Sequence, residues 1–105
     1  MNLWLDDIRV PPTDKPWVWV RTVDECIAKI KRRVPQRLSL DNDLGPNQPE
    51  GYKVLDWLEA RFHRIVVKSL IPDEIFVHSA NPVARARMQV VIARLKEIKE
   101  NIDDE

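Results

Sequence analysis

Carboxylates gather at two places in this 105-residue chain, Asp6-Asp7 after Leu3-Trp4-Leu5 and the Asp41-Asn42-Asp43 run after Leu38-Ser39-Leu40. Each run follows a short apolar segment, where a β-strand hands over to a loop. In open parallel sheets ligands sit at the carboxyl ends of the strands. Acids meeting there repel one another unless one is protonated or a cation lies between them. Oxygen donors suit a hard divalent ion such as Mg²⁺, Mn²⁺ or Ca²⁺, and Mg²⁺ commonly shares its shell with phosphate. Asp6, Asp7, Asp41 and Asp43 are therefore candidate metal ligands. The plainer reading is that Asp merely ends strands and caps turns.

His78-Ser79-Ala80-Asn81-Pro82 supplies a complementary half. Asn81 as N-cap and Pro82 at the first helical position open a helix whose first N–H groups and dipole favour an anion. Arg9, Ser79, Asn81 and Arg85 are thus candidate phosphate-binding residues. His78 and Asp41 are candidate catalytic residues, with His78 as hydrogen-bond donor or acid and base. Each has a bland alternative: capping for Asn81, a structural role for His78 and a surface salt bridge for Arg9. Ser39 points away from the face of Leu38 and Leu40 and is expected to let a helix approach closely. Both glycines bound the 45–51 loop beside the site, a mobile lid or a plain turn.

Four extended segments are expected at Asn2–Leu5, Trp17–Val20, Arg37–Leu40 and Glu74–His78. The stretch between Asp7 and Trp17 carries three prolines and must be a loop. Thr22 and Glu25 form a capping box ahead of Val23, Cys26, Ile27, Ile30 and Val34 on one helical face. A second helix runs from Gly51 through Val54, Leu55, Leu58, Phe62, Ile65 and Val66. A third follows Asn81 through Ala84, Met88, Val91, Leu95, Ile98 and Ile102, and the acidic tail Asp103-Asp104-Glu105 should fray. Arg61, His63 and Arg64 read as a solvated face. Strands alternating with helices imply an α/β parallel four-stranded sheet ordered 2-1-3-4, with the first two helices on one face. The last helix is expected to fold back over the other face, with a homodimer through that less covered face as the competing arrangement. Either would bury Trp17 and Trp19.

Composition sets outer limits. Lys plus Arg and Asp plus Glu each number 17, so bulk charge does not favour nucleic acid. The length allows one domain over residues 1–105. A lone Cys26 without zinc-ligand spacing suggests a reducing compartment, and no apolar run reaches the length of a membrane span. A cytoplasmic protein with no membrane partner is expected.

Leu3-Trp4-Leu5-Asp6-Asp7, Leu40-Asp41-Asn42-Asp43-Leu44 and Val77-His78-Ser79-Ala80 together resemble the response-regulator receiver domain, a flavodoxin-like fold. That resemblance implies Asp6 and Asp7 as Mg²⁺ ligands, Asp41 as phosphoacceptor and metal ligand, and Ser79 as the hydroxyl residue ending the fourth strand. The chain departs from the pattern by lacking the first receiver helix, the fifth strand and its Lys. Trp4-Leu5-Asp6-Asp7-x-Arg9, Leu40-Asp41-x-Asp43-Leu44-Gly45 and His78-Ser79-Ala80-Asn81-Pro82 resemble more closely the cyclic-phosphate processing receiver group. Asn42 stands where that group is expected to carry His.

The resemblance implies Mg²⁺- or Mn²⁺-dependent processing or sensing of 2′,3′-cyclic phosphodiesters, with RNA repair as a setting and a phosphate-containing small molecule or RNA end as partner. The expected activity class is a phosphoesterase. The alternatives are a phosphoacceptor or a degenerate receiver acting as a signalling or protein-binding module. Asp41-x-Asp43 also resembles the haloacid-dehalogenase phosphatase motif, although that motif belongs on a first strand.

Overall fold

A computed structural model describes residues 1–102. Its four parallel strands are β1 (Asn2–Leu5), β2 (Val18–Val20), β3 (Arg37–Leu40) and β4 (Glu74–Val77), in the order β2-β1-β3-β4. The helices are α1 (Val23–Arg32), α2 (Tyr52–Arg64) and α3 (Pro82–Glu100), with a short 3-10 turn at Lys68–Leu70. The predicted sheet order and three-helix count therefore hold.

Alternation decides the two sheet faces. Leu3, Leu5, Val20, Leu38 and Leu40 point to the helices and are almost wholly buried, each contributing roughly 1.5–3 kcal/mol by leaving water. They share one core with Val23, Cys26 and Ile30 of α1 and Val54, Leu55, Leu58 and Phe62 of α2. Thr22 starts α1 as expected, its Oγ1 accepting from the Glu25 N–H at 3.2 Å. α2 ends at Arg64, so Ile65 and Val66 are not on its apolar face; they are 53% and 65% exposed.

α3 corrects the expected layering. It packs beside α2 and against β4, and its Met88, Val91, Ile92 and Leu95 enter the same core. Handedness constrains a helix only when a later strand closes the crossover. With no fifth strand in the described chain, the helix takes the apolar flank left by α2, where Arg94 also pairs with Glu59 at 2.5 Å.

The opposite face has no helix among the described residues. The proline-rich segment lies over its β1–β2 half instead. Trp4 Nε1 donates to the Arg9 carbonyl at 2.8 Å, Asn2 Nδ2 to the Pro16 carbonyl at 3.2 Å and Trp19 Nε1 to the Asp6 carbonyl at 2.7 Å. Trp17 meets Trp4 edge-on at 5.5 Å. Trp4 is thus buried without a third layer, whereas Trp17 and Trp19, expected to be buried, are half-buried and Phe76 on the β4 side stays 42% exposed. The tail 103–105 lies outside the described residues. No helix among the described residues is long and apolar enough to cross a membrane.

Candidate active site

Parallel register places the acids side by side. Leu5 pairs with Leu40, so β1 and β3 release Asp6 and Asp41 from adjacent strands at the same level. The ladder continues one step further, with Asp6 N–H on the Val20 carbonyl, Asp41 N–H on the Leu5 carbonyl and His78 N–H on the Leu40 carbonyl, all within 3.1 Å. One carboxylate oxygen from each of Asp6, Asp7 and Asp41 lies within 4.8 Å of the others. These acids open on a cleft of about 460 Å³, also lined by Ile8, Arg9, Asp43, Gly45 and Ala80. Asp43 lies on the cleft but outside that trio, near Asn42 Nδ2 at 3.4 Å. A smaller cavity of about 310 Å³ between α3 and the free edge of β4 contains no such cluster.

Each acid is held differently. Asp6 is 1% exposed; its Oδ1 accepts from the Ile8 and Arg9 N–H groups, at 2.9 and 2.8 Å, and its Oδ2 faces His78 Nε2 at 3.0 Å. Asp41 Oδ1 accepts from the Asn42 N–H at 2.9 Å. Burial and then the Asp6 charge push the Asp41 carboxyl up to about 6, against the Asn42 N–H and the Arg9 charge, which lower it. An all-oxygen trio under mutual repulsion fits a hard divalent cation. No other cluster of this kind occurs among the described residues.

The phosphate half is more committed to structure than its sequence suggests. Asn81 Oδ1 accepts from both Val83 N–H and Ala84 N–H at 3.1 Å, so its carbonyl caps α3. Asn81→Ala should therefore cost about 1 kcal/mol, lowering the melting temperature by about 4–8 °C in a thermal scan. Arg85 Nη1 donates to the Ser79 carbonyl at 3.1 Å, and Arg9 Nη1 to the His78 carbonyl at 2.8 Å. Ser79 is buried and its Oγ accepts from the Asn81 N–H. Arg9 alone of these four lines the acid cleft.

A receiver-like sheet with three acids at the β1 and β3 ends agrees with a family comparison. The model of the cyclic-phosphate processing receiver domain matches residues 1–94. The chain belongs to that family. No curated protein and no solved structure matches it. As a family member it carries the receiver-type acidic trio without a first receiver helix, which the proline-rich segment replaces on the sheet.

Three residues that support this receiver's candidate site were not visible as such in the sequence. Buried Asn42 holds both ends of the 43–51 loop: its carbonyl accepts from Gly51 N–H at 2.8 Å, its Oδ1 from Tyr52 N–H at 3.0 Å, and its Nδ2 reaches Glu50 at 2.9 Å. The loop is thus an anchored turn at both ends. Trp4 stacks on His78 with ring centres 3.8 Å apart and planes 3° from parallel. Ser39 Oγ lies 2.8 Å from His78 Nδ1, so Ser39 makes room for an imidazole, not for a helix. The available signal was a polar residue between Leu38 and Leu40, in register with Trp4, on a strand whose other face is core.

Proposed function

We propose that this domain processes or senses cyclic phosphate groups, 2′,3′-cyclic phosphodiesters of an RNA end or small nucleotide, with a divalent cation. The observation that carries the reading is the Asp6, Asp7 and Asp41 trio on an open cleft shared with Arg9. Those three carboxylates would hold Mg²⁺ or Mn²⁺, which when bound would offset most of their charge and polarise a phosphoryl oxygen. Arg9, steadied by its bond to the His78 carbonyl, keeps further N–H groups for a phosphate oxygen. Ser79 is buried off the cleft lining, and its hydroxyl supports the turn by accepting from the Asn81 N–H. Asn81 and Arg85 act at a remove, by fixing the turn that carries Ser79. Hydrolysis would add water across one P–O bond of the ring, yielding a phosphomonoester and a free hydroxyl.

Phosphorus NMR of a 2′,3′-cyclic nucleotide with the purified protein tests this. A monoester signal should grow with Mg²⁺ or Mn²⁺, vanish with EDTA and fall at least about a hundredfold in Asp41→Asn. Turnover indifferent to EDTA and to Asp41→Asn would overturn the cation-dependent reading. Metal-dependent nucleotide binding without conversion would assign the domain to sensing.

A further inference from the structure

The imidazole of His78 has both nitrogens engaged: Nδ1 faces Ser39 Oγ at 2.8 Å and Nε2 faces Asp6 Oδ2 at 3.0 Å. Its plane is set by Trp4, against which it stacks at 3.8 Å. Ser39 is 3% exposed and comes from the interior of β3, so it is out of reach of a ligand and unsuited to act as a nucleophile. His78 is not part of the cleft lining, although Asp6 is. A carboxylate oxygen only accepts, whereas a hydroxyl both donates and accepts. Asp6 Oδ1 already accepts two backbone N–H groups, which leaves Oδ2 to face the ring. A neutral ring in this setting has one consistent arrangement of protons, with Nε2–H on Asp6 and the Ser39 O–H on Nδ1.

We propose that Ser39 is a positioning residue: its hydroxyl donates to Nδ1 of His78, fixing the ring with Nε2–H on Asp6 Oδ2 and so aiming the Asp6 carboxylate into the cleft. The functional consequence rests on the cation reading above. His78 then serves the site through Asp6, not by exchanging a proton with the substrate, as imidazoles and carboxylates behind metal ligands do elsewhere. Trp4 supplies the flat support and Ser39 the direction.

Ring-nitrogen NMR of protein labelled with ¹⁵N-histidine decides this without an ion or substrate. At neutral pH the wild type should show His78 protonated at Nε2 alone, with Nδ1 shifted as a hydrogen-bond acceptor. Ser39→Ala should move the Nδ1 resonance toward that of a free imine nitrogen, and Ser39→Thr should return it. A purely packing role for Ser39 would leave that resonance in place. Protonation of wild-type Nδ1, or an unmoved Nδ1 in Ser39→Ala, overturns the proposal. On the same samples, Mg²⁺ affinity by calorimetry should fall about tenfold in Ser39→Ala and recover in Ser39→Thr. A wild type that binds no Mg²⁺ overturns the cation reading alone, since the ring nitrogens still decide whether Ser39 directs His78.

Discussion

Gly51→Ala is expected to unfold much of the site, with a loss of at least about 3 kcal/mol and a melting temperature lowered by at least about 12 °C. Gly51 has φ −56° and ψ −28°, a conformation alanine adopts readily. On backbone preference alone the change would stabilise by about 0.4–1 kcal/mol. Space reverses the sign. A Cβ at Gly51 would lie 1.8 Å from the Asp41 carbonyl oxygen and 2.9 Å from its carbon, and backbone atoms cannot swing aside as a side chain can. Relief requires parting the Asp41 segment from the start of α2, which breaks the Gly51 and Tyr52 bonds to Asn42. Asn42 is 1% exposed, so its unpaired polar atoms would add a desolvation penalty of about 1–3 kcal/mol. Gly45→Ala is the internal comparison: φ is +103°, but the added Cβ would meet only Asp7 Oδ2 at 3.4 Å, an ordinary contact. Its cost should stay near 1–2 kcal/mol. Equal, small losses at both glycines in thermal denaturation would refute the close approach at Gly51.

The contrast between these glycines shows which parts of the design a sequence discloses. Short apolar runs broken by helical periodicity were enough for strand order 2-1-3-4, and the order alone brought Asp6, Asp7 and Asp41 together. Those inferences depend on periods and handedness, which are local or topological. The side taken by α3 depends on competing apolar areas that exist only after α2 and β4 have packed. The cover over Trp4 and Trp19 was missed because indole N–H groups bond to the Arg9 and Asp6 carbonyls, and backbone acceptors leave no mark in residue types. Asn81 was ambiguous for a related reason. Capping a helix and receiving an anion need the same N–H groups, and only the 3.1 Å bonds to its Oδ1 show that the cap takes two of them.

Asp41→Asn should make the ion-free protein more stable above pH 7 while removing its response to Mg²⁺. The Asp41 carboxyl is raised from 3.8 to about 6, so the folded state holds that proton more tightly than the unfolded chain. By linkage, this group favours folding below about pH 4, and its contribution is lost as pH rises to about 6. Above that range the folded protein carries a buried, repelled carboxylate at a cost on the order of 3 kcal/mol. Asparagine keeps the oxygen that accepts from the Asn42 N–H and removes the charge. The melting temperature of Asp41→Asn minus that of wild type should thus be near zero at pH 4, rise through pH 5–6 and level off near pH 7. Mg²⁺ should close most of that gap: at about a hundred times its Kd it would stabilise wild type by about 2.7 kcal/mol, and the variant far less. That gain should itself grow as Asp41 ionises, because proton and cation compete for one carboxylate. A difference that does not change with pH would contradict the raised carboxyl, and equal Mg²⁺ responses would remove Asp41 from the ligand set. Both curves come from one set of thermal scans, and together they separate the electrostatic cost of bringing the three acids together from the use to which the site puts them.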